Sequence, residues 1–555
     1  MLVEEPGSKA QRSEKASADA SGHNGMPATG PAEAAAVSGE RQAGMTRDRR
    51  SGGRRSRSER GGGIAQLPWR EVRNPHAPMQ LVDEEQIEQL HRTSMRILSD
   101  LGIRVMSQRA LEIFARAGAI IDDETMTVRI DETIVNAALA TVPRTFTLSS
   151  RNPQKRLTIG GSAMAFGLVA GPPNVHDRIN GRRAGNMGDY ENFTRLAHYF
   201  NAIHILGNQV CAPVELPANT RHLDTYFANL TLSDLCYHCT AIGRGRAIDG
   251  IRMMAIARGA TLEELRESPG VITIISVNSP RLFDDAMADG LIAMAEHGQP
   301  VTVTPFTLMG AMTPVTLPAA LCQQNAEALF GVVLAQLVNP GTPVMYGAFT
   351  SNVDMRSGAP AFGTPENTKA NIIAGQLARR YGLPYRTSNA NASNTVDLQA
   401  AYETEMSTWG AVLGGANLIY HAAGWLEGGL TASYEKLVLD VEILQNMMCF
   451  LEPVSFTEDD LGFEAIRAVP AGGHFFGSEH TMVRYETAFY RPMLSNWQNF
   501  GAWQEAGGKD ALERATQIWQ QALREYAQPP MDPAVREELE AYVARRKEEI
   551  GTGEP

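Results

Sequence analysis

The sequence predicts an α/β protein built on a (β/α)8 barrel, and three observations carry that expectation. From about Asn186 onward an amphipathic helix, a Gly or Pro stop, a short β-branched strand and a loop of small or polar residues recur. The units repeat at roughly 30 to 40 residues, the spacing of parallel strands joined by helical crossovers. Eight candidate strands follow in this way, and eight is the number that closes into a barrel. An open doubly wound sheet is the alternative. It should carry a G-x-G-x-x-G turn after an early strand, and none stands in a convincing place.

Five of the strands are introduced by a Gly or Pro stop, and the other three are candidates by composition. AIHILGNQ starts at Ala202 and YHCTAIG at Tyr237; Ser268-Pro-Gly introduces VITIISVNS, and His297-Gly-Gln-Pro introduces VTVTPFT. Asn339-Pro-Gly-Thr-Pro precedes VMYGAFT, Gly382-Leu-Pro precedes YRTSNA, Gly414-Gly-Ala precedes NLIYHAAG, and HFFGS from His474 is the eighth. The connecting helices obey the same grammar. Thr364 can cap a helix whose first position is Pro365, whose buried stripe is Ile372, Ile373 and Leu377, and which ends at Gly382.

Around residues 186–500, the expected barrel, the chain divides into three further parts. Residues 1–64 are Ala, Gly, Ser and Arg rich with hardly a large apolar side chain, so they are expected to be a disordered tail. Residues 65–185 are expected to form a helical arm, with Ile87, Leu90, Met95 and Leu98 at helical spacing, followed by a small β-hairpin region (FTLSS, RLTIG, AMAFG). Residues 501–555 read as C-terminal helices at Leu512–Arg524 and Pro533–Glu549, the last heavily charged and expected to be solvent exposed.

Composition excludes several classes. The 555 residues are 43% hydrophobic, enough for a large core, and the net charge of −12 argues against nucleic-acid binding, which needs clustered Lys and Arg. No apolar run reaches the roughly 18 residues of a membrane span. Five cysteines in apolar settings fit reduced, buried thiols and a cytoplasmic location. Cys236 and Cys239 flank His238 in a C-x-x-C, but no second pair completes a metal set, so they read as core thiols and no metal is expected. Nucleophile-elbow, P-loop and H-E-x-x-H motifs are all missing.

Barrel chemistry sits at the carboxyl ends of the strands. Collected there are Asn208, Gln209, Asn278, Phe306, Phe349, Asn389 and Asn391, then His421, Trp425 and Glu427, and finally His474, Phe475 and Phe476. The set is rich in aromatics and amides and poor in cations, which suits an organic cation better than a phosphate. Phe306, Phe349, Asn389, Asn391, Trp425, His474 and Phe476 are thus candidate substrate contacts, each aromatic being as open to a plain core role. Glu427 and His421 are the candidate catalytic groups, although a carboxylate near a helix start is commonly only a dipole partner.

Three long segments, GTPVMYGAFTSNVDMRSGAPAFGTPE from Gly341, TSNANASNTVDLQAAYE from Thr387 and HAAGWLEGGLTASYEKLVLD from His421, resemble the trimethylamine methyltransferase family of corrinoid-dependent methylamine and glycine betaine enzymes. The resemblance runs from roughly Asp83 to Arg546. It implies a barrel that moves a methyl group from a methylated amine to the cobalt of a separate corrinoid protein, with no cofactor bound tightly by this chain and cobalamin supplied by the partner. A homo-oligomer is expected. The archaeal trimethylamine enzymes carry pyrrolysine, and only standard residues occur here, including in the Ser388–Thr395 loop near which that residue would sit. The departure points to the non-pyrrolysine branch and a glycine betaine-like quaternary amine, with trimethylamine as the alternative. Two readings from other classes are a (β/α)8 lyase or isomerase using Glu427 as base, and a quaternary-amine binding protein without turnover.

Overall fold

A computed structural model describes residues 63–551, so the expectation for the N-terminal tail lies outside the described residues except for Gly63 and Ile64. Eight parallel strands form a closed barrel: β1 (Ala163–Leu168), β2 (Ile205–Leu206), β3 (Cys236–His238), β4 (Val271–Ile275), β5 (Val301–Val303), β6 (Val344–Gly347), β7 (Tyr385–Ser388) and β8 (Leu418–Ala423). Each pairs with the next, and β8 returns to β1 through Leu418 opposite Ala165 and Ile419 opposite Phe166. No helix among the described residues is long and apolar enough to cross a membrane.

Seven of the eight strands lie where the sequence puts them, and the eighth does not. HFFGS is no strand: His474 and Phe476 are exposed, in a turn between short helices. The missing strand is β1, the AMAFG piece assigned to the hairpin region, so the barrel begins before residue 186. The confusion has a physical cause. Phe146–Leu148 and Leu157–Ile159 do pair as an antiparallel hairpin, and AMAFG follows at the next turn, Gly160-Gly161. Only its full burial on both faces distinguishes it. Gly167 on β1 is required by its neighbour, since a Cβ there would stand 2.6 Å from the Tyr420 ring.

The N-terminal arm exists to cover one helix. Leu317–Val338 (α2) is buried on all sides from Ala320 through Gln336, which one barrel face cannot achieve. Glu84–Arg96 (α1) and the helix Glu132–Leu139 pack on its outer side. A capping box starts α1, with the Asp83 side chain accepting from the Gln86 amide. Pro365–Tyr381 (α3) is capped by Thr364 and stopped by Gly382 at φ +66°, as its sequence prescribes. Leu398–Leu413 (α4) and Tyr434–Phe450 (α5) flank β8. The cysteines Cys236, on β3, and Cys239, just past its end, are buried free thiols.

Two C-terminal helices, Ala511–Glu525 (α6) and Pro533–Ile550 (α7), close the ring. Glu435, fully buried at the start of α5, accepts from Thr516 Oγ1 and Trp519 Nε1 at 2.9 Å and so fastens α6. The charged α7 is not free in solvent: Leu539 and Tyr542 are buried, and Asp249 accepts from Tyr542 Oη at 2.7 Å, Arg546 Nε at 2.8 Å and His222 Nε2 at 2.9 Å. Asp249→Ala should therefore cost about 3 kcal/mol by stranding three buried donors. Limited proteolysis should then cut within α7 first. Unchanged melting and digestion would mean that α7 is held by its apolar stripe alone.

Candidate active site in the barrel mouth

A cavity of about 460 Å³ opens at the carboxyl ends of the strands, and all eight strands or their following loops contribute to its lining. The loops after β5 and β6 pair as a small sheet, Phe306 opposite Phe349, which stands both rings over the opening. A second small sheet joins Trp425–Leu426 and Thr431–Ser433 to the hairpin Asn174–Asp177/Gly181–Ala184. The two sheets turn an open barrel end into a walled pocket.

One wall is aromatic. His421 and Trp425 lie 4.3 Å apart, Phe349 is 5.7 Å from His421 and 6.0 Å from Trp425, and Phe306 is 5.1 Å from Phe349. Phe362 stacks behind Phe349 at 5.2 Å. Trp425 cannot swing away, because its Nε1 donates to Asn391 O at 3.1 Å while Asn391 Nδ2 donates to Trp425 O at 2.7 Å. Gly429 leaves no space on the far side, where a Cβ would stand 2.5 Å from the indole. His421 is held at φ +55°, a conformation that costs a non-glycine residue about 1 kcal/mol or more and is kept where the surroundings demand it. Its Nδ1 meets Ser388 Oγ at 3.1 Å, and burial drives its pKa well below the usual imidazole range, so the ring is neutral.

Next to that wall lies what the sequence concealed. Arg386, on β7, is 1% exposed; its Nε and Nη1 have no hydrogen-bond partner among the described residues, and its guanidinium lies 5.2 Å from the Tyr420 ring and 5.8 Å from the Phe349 ring. Burial pushes its pKa down to about 10, which leaves it cationic at neutral pH. Expecting a mouth poor in cations missed it. An arginine inside a strand buried on every face was the available signal, since charged residues are almost never fully buried without a partner.

Beside it stands Tyr420, whose proton can be placed by elimination. His238 is fully buried and its pKa is lowered to about 3 by that burial, so it is neutral and carries one ring proton. Its Nε2 accepts from the Ile274 amide at 2.8 Å, so the proton is on Nδ1 and is donated to Tyr420 Oη. The Asn208 amide also donates to that oxygen, at 3.1 Å. Tyr420 therefore accepts twice, and its own hydroxyl proton has no partner among the described residues. The cavity thus offers aromatic faces and, adjoining them at Phe349 and His421, a guanidinium with a free phenol donor.

The remaining predicted residues lie elsewhere. Glu427 is outside the lining and its carboxylate takes both oxygens to Arg182 Nε, at 2.9 and 3.0 Å. Asn389 and Asn391 brace the β7 and β8 ends through Ala422 O and Trp425 O and do not line the cavity. His474 belongs to a larger void of about 1050 Å³ among the short helices of residues 458–484, which touches no barrel strand, and Phe476 points to solvent. None of the lining residues is Asp, Glu, Lys or Cys.

A family model described as trimethylamine methyltransferase (MTTB) matches residues 49–551. The chain belongs to the trimethylamine methyltransferase family. This methyltransferase is 36% identical over 475 residues to a glycine betaine methyltransferase of Desulfitobacterium hafniense (strain Y51), covering 85% of this chain and 98% of that one. It is 27% identical to the trimethylamine methyltransferase MttB of D. hafniense (strain DSM 10664 / DCB-2), over 84% of this chain and 94% of the relative. With the MttB of Methanosarcina barkeri (strain Fusaro / DSM 804) the identity is 29% over the same shares. Among solved structures, the M. barkeri monomethylamine methyltransferase MtmB aligns with a TM-score of 0.46 and 10% identity, over 82% of this chain and 92% of that chain. Among the described residues the cavity lining holds no carboxylate or amine to serve as acid, base or nucleophile.

Proposed function

We propose that this enzyme moves a methyl group from a betaine, a small zwitterion with a quaternary ammonium at one end and a carboxylate at the other, to the cobalt of a corrinoid on a separate protein. The guanidinium of Arg386, whose Nε and Nη1 have no hydrogen-bond partner and which has no counter-ion among the described residues, carries the reading. A buried cation without a counter-ion costs several kcal/mol, and a cavity that sustains that cost is one whose ligand supplies the anion. The ligand's ammonium then falls against Phe306, Phe349, His421 and Trp425, where each aromatic contact is worth about 0.5 to 2 kcal/mol. Arg386 and the free Tyr420 hydroxyl meet its carboxylate. Trimethylamine offers nothing to either.

The leaving group agrees. A methyl taken in line from a quaternary ammonium leaves behind a neutral tertiary amine, which needs no proton, and the cavity lining provides no acid. From trimethylamine the departing group would need protonation or other activation. A corrinoid on the partner would supply the nucleophile at its reduced cobalt, and a cavity of about 460 Å³ admits a small amine but is far too small for the macrocycle, which fits delivery from outside by a partner. What the chain's own residues contribute is orientation and exclusion of water, up to roughly 7 to 11 kcal/mol for a well-held near-attack geometry. Glu427, committed to Arg182, is poorly placed as the base of a lyase.

Methyl transfer to cob(I)alamin, assayed anaerobically with glycine betaine and with trimethylamine, tests the reading. Glycine betaine should turn over and trimethylamine should react at least tenfold more slowly. Faster turnover of trimethylamine would sink the proposal, and binding of betaine without any transfer would leave a binding protein.

A further inference from the structure

Among the described residues, two side chains that line the cavity carry buried polar atoms with no hydrogen-bond partner: Arg386, and Thr304 through its Oγ1. The first has its place in the betaine reading, and the second has none yet. Thr304 stands one residue past β5 and is 4% exposed. Its amide donates to Ile275 O at 2.8 Å, so the ladder with β4 continues through it and holds its backbone. A β-branched side chain on a held strand has little rotamer freedom. The hydroxyl is therefore fixed in the lining and is not free to seek a partner elsewhere.

Its position is given by Gly347, the last residue of β6. A Cβ on Gly347 would collide with Thr304 Oγ1 and stand 2.7 Å from Thr304 Cβ, so the threonine occupies the room that any side chain at 347 would need. Gly347 in turn pairs with Arg386 on β7. Neighbouring strands lie about 5 Å apart, which puts the Thr304 hydroxyl one strand spacing from the strand of Arg386, with no side chain at 347 between them. Arg386 leans the same way, its guanidinium 5.8 Å from the ring of Phe349, two residues past Gly347. On the far flank of β7 is β8 with Tyr420, paired opposite Ser388. Four consecutive strands thus present a hydroxyl, a bare glycine, a guanidinium and a phenol.

We infer that Thr304 is a third donor to the ligand's carboxylate, a specificity-determining contact that acts together with Arg386 and Tyr420. The inference rests on the betaine reading. A carboxylate has about four lone-pair sites on two oxygens. Two bonds from a guanidinium and one from the Tyr420 hydroxyl fill three, and Thr304 fills the fourth from the side of the bare glycine. Gripped from both flanks, the carboxylate cannot turn about its bond to carbon, and the ammonium at the other end is aimed at one place on the aromatic wall. A cation without a carboxylate leaves the Thr304 hydroxyl unpartnered, as it is in the free protein.

Calorimetry with glycine betaine and with tetramethylammonium tests this. Thr304→Val keeps the shape and removes the donor, and it should weaken glycine betaine about tenfold, the worth of a hydrogen bond to a charged group. Thr304→Ala should show the same loss, Thr304→Ser should bind as the wild type does, and tetramethylammonium should not distinguish any of them. Thr302 is the control. Its Oγ1 is also buried and unpartnered, two residues earlier on the same face of β5, yet it does not line the cavity, so Thr302→Val should leave both affinities unchanged. In an Arg386→Met background the Thr304→Val loss should shrink to about threefold or less, because both groups hold one carboxylate. Wild-type betaine affinity in Thr304→Val and Thr304→Ala overturns the inference and leaves the betaine reading standing. An equal loss for tetramethylammonium, or from Thr302→Val, overturns it by making the effect one of barrel packing, and a full tenfold loss that persists without Arg386 overturns it by separating Thr304 from the carboxylate. A wild type that does not bind betaine overturns the inference and the betaine reading together.

Discussion

Arg386→Met should weaken glycine betaine binding by about 100-fold or more while making the free protein more stable. The two effects share one cause. The guanidinium is buried with Nε and Nη1 unpartnered, so removing it relieves a desolvation penalty in the free enzyme and takes away the counter-charge in the complex. A charge-assisted contact to a carboxylate is worth about 1.5 to 3 kcal/mol, and a bidentate one more. The melting temperature should rise by a few degrees, the expected trade between function and stability. Arg386→Lys should not rescue, because an ammonium lacks the planar fork. Tetramethylammonium, with no carboxylate, should bind the Met variant at least as tightly as the wild type, because a like charge beside Phe349 is removed. Affinity for betaine in the wild type should be flat from about pH 6 to 9, because His238 and His421 stay neutral there and Arg386 stays charged. It should weaken as pH climbs toward about 10, where Arg386 loses its proton. Equal betaine affinity in wild type and variant, measured by calorimetry, would remove the carboxylate from the proposal.

The barrel was legible because its grammar is local. A Gly or Pro stop before a β-branched run needs no knowledge of the partner strand, and five strands follow from it, with two more from their apolar runs. β1 was not, since an antiparallel hairpin immediately before it imitates its context. The aromatic wall was half legible for the same reason. Phe306, Phe349, His421 and Trp425 all lie at or just past strand ends, a position that sequence order fixes, and the cavity is lined by all four. Glu427 sits in the same stretch as His421 and Trp425, yet its carboxylate is claimed by Arg182, which is 245 residues away. Arg386, His238 and Tyr420 were hidden differently. Their role lies in what each lacks or receives from another strand, and an unpaired guanidinium or a forced tautomer is a property of the assembled barrel. The segment from His474 was misread because HFFGS has strand composition and is adjacent to nothing that would bury it.

Asp440→Ala should be the most destabilising single change near the site, at about 3 to 5 kcal/mol, out of the roughly 5 to 15 kcal/mol that a folded domain has in hand. Lys436 and Asp440 are neighbours one turn apart on α5, both wholly buried, and their side chains form an ion pair. Burial pushes the Asp440 carboxyl up and the Lys436 ammonium down, and each is drawn back by the other. Lys436 Nζ also donates to Thr404 Oγ1 at 2.8 Å, and the second Asp440 oxygen accepts from the Gly424 amide at 2.8 Å. Removing the carboxylate leaves a buried ammonium with one neutral partner and an orphaned amide in a turn held at φ +98°. That turn sets the direction of Trp425, so damage to α5 reaches the aromatic wall. The double variant K436M/D440L removes both charges, and the urea midpoint should recover most of the way, as buried ion pairs replaced by apolar groups generally do. Its betaine affinity should stay low, because the Gly424 amide is still unsatisfied and the indole no longer fixed. A single variant within 1 kcal/mol of the wild type would mean that Lys436 sheds its proton when the carboxylate is lost. A double variant with full affinity would mean that the Asn391 clip alone aims Trp425.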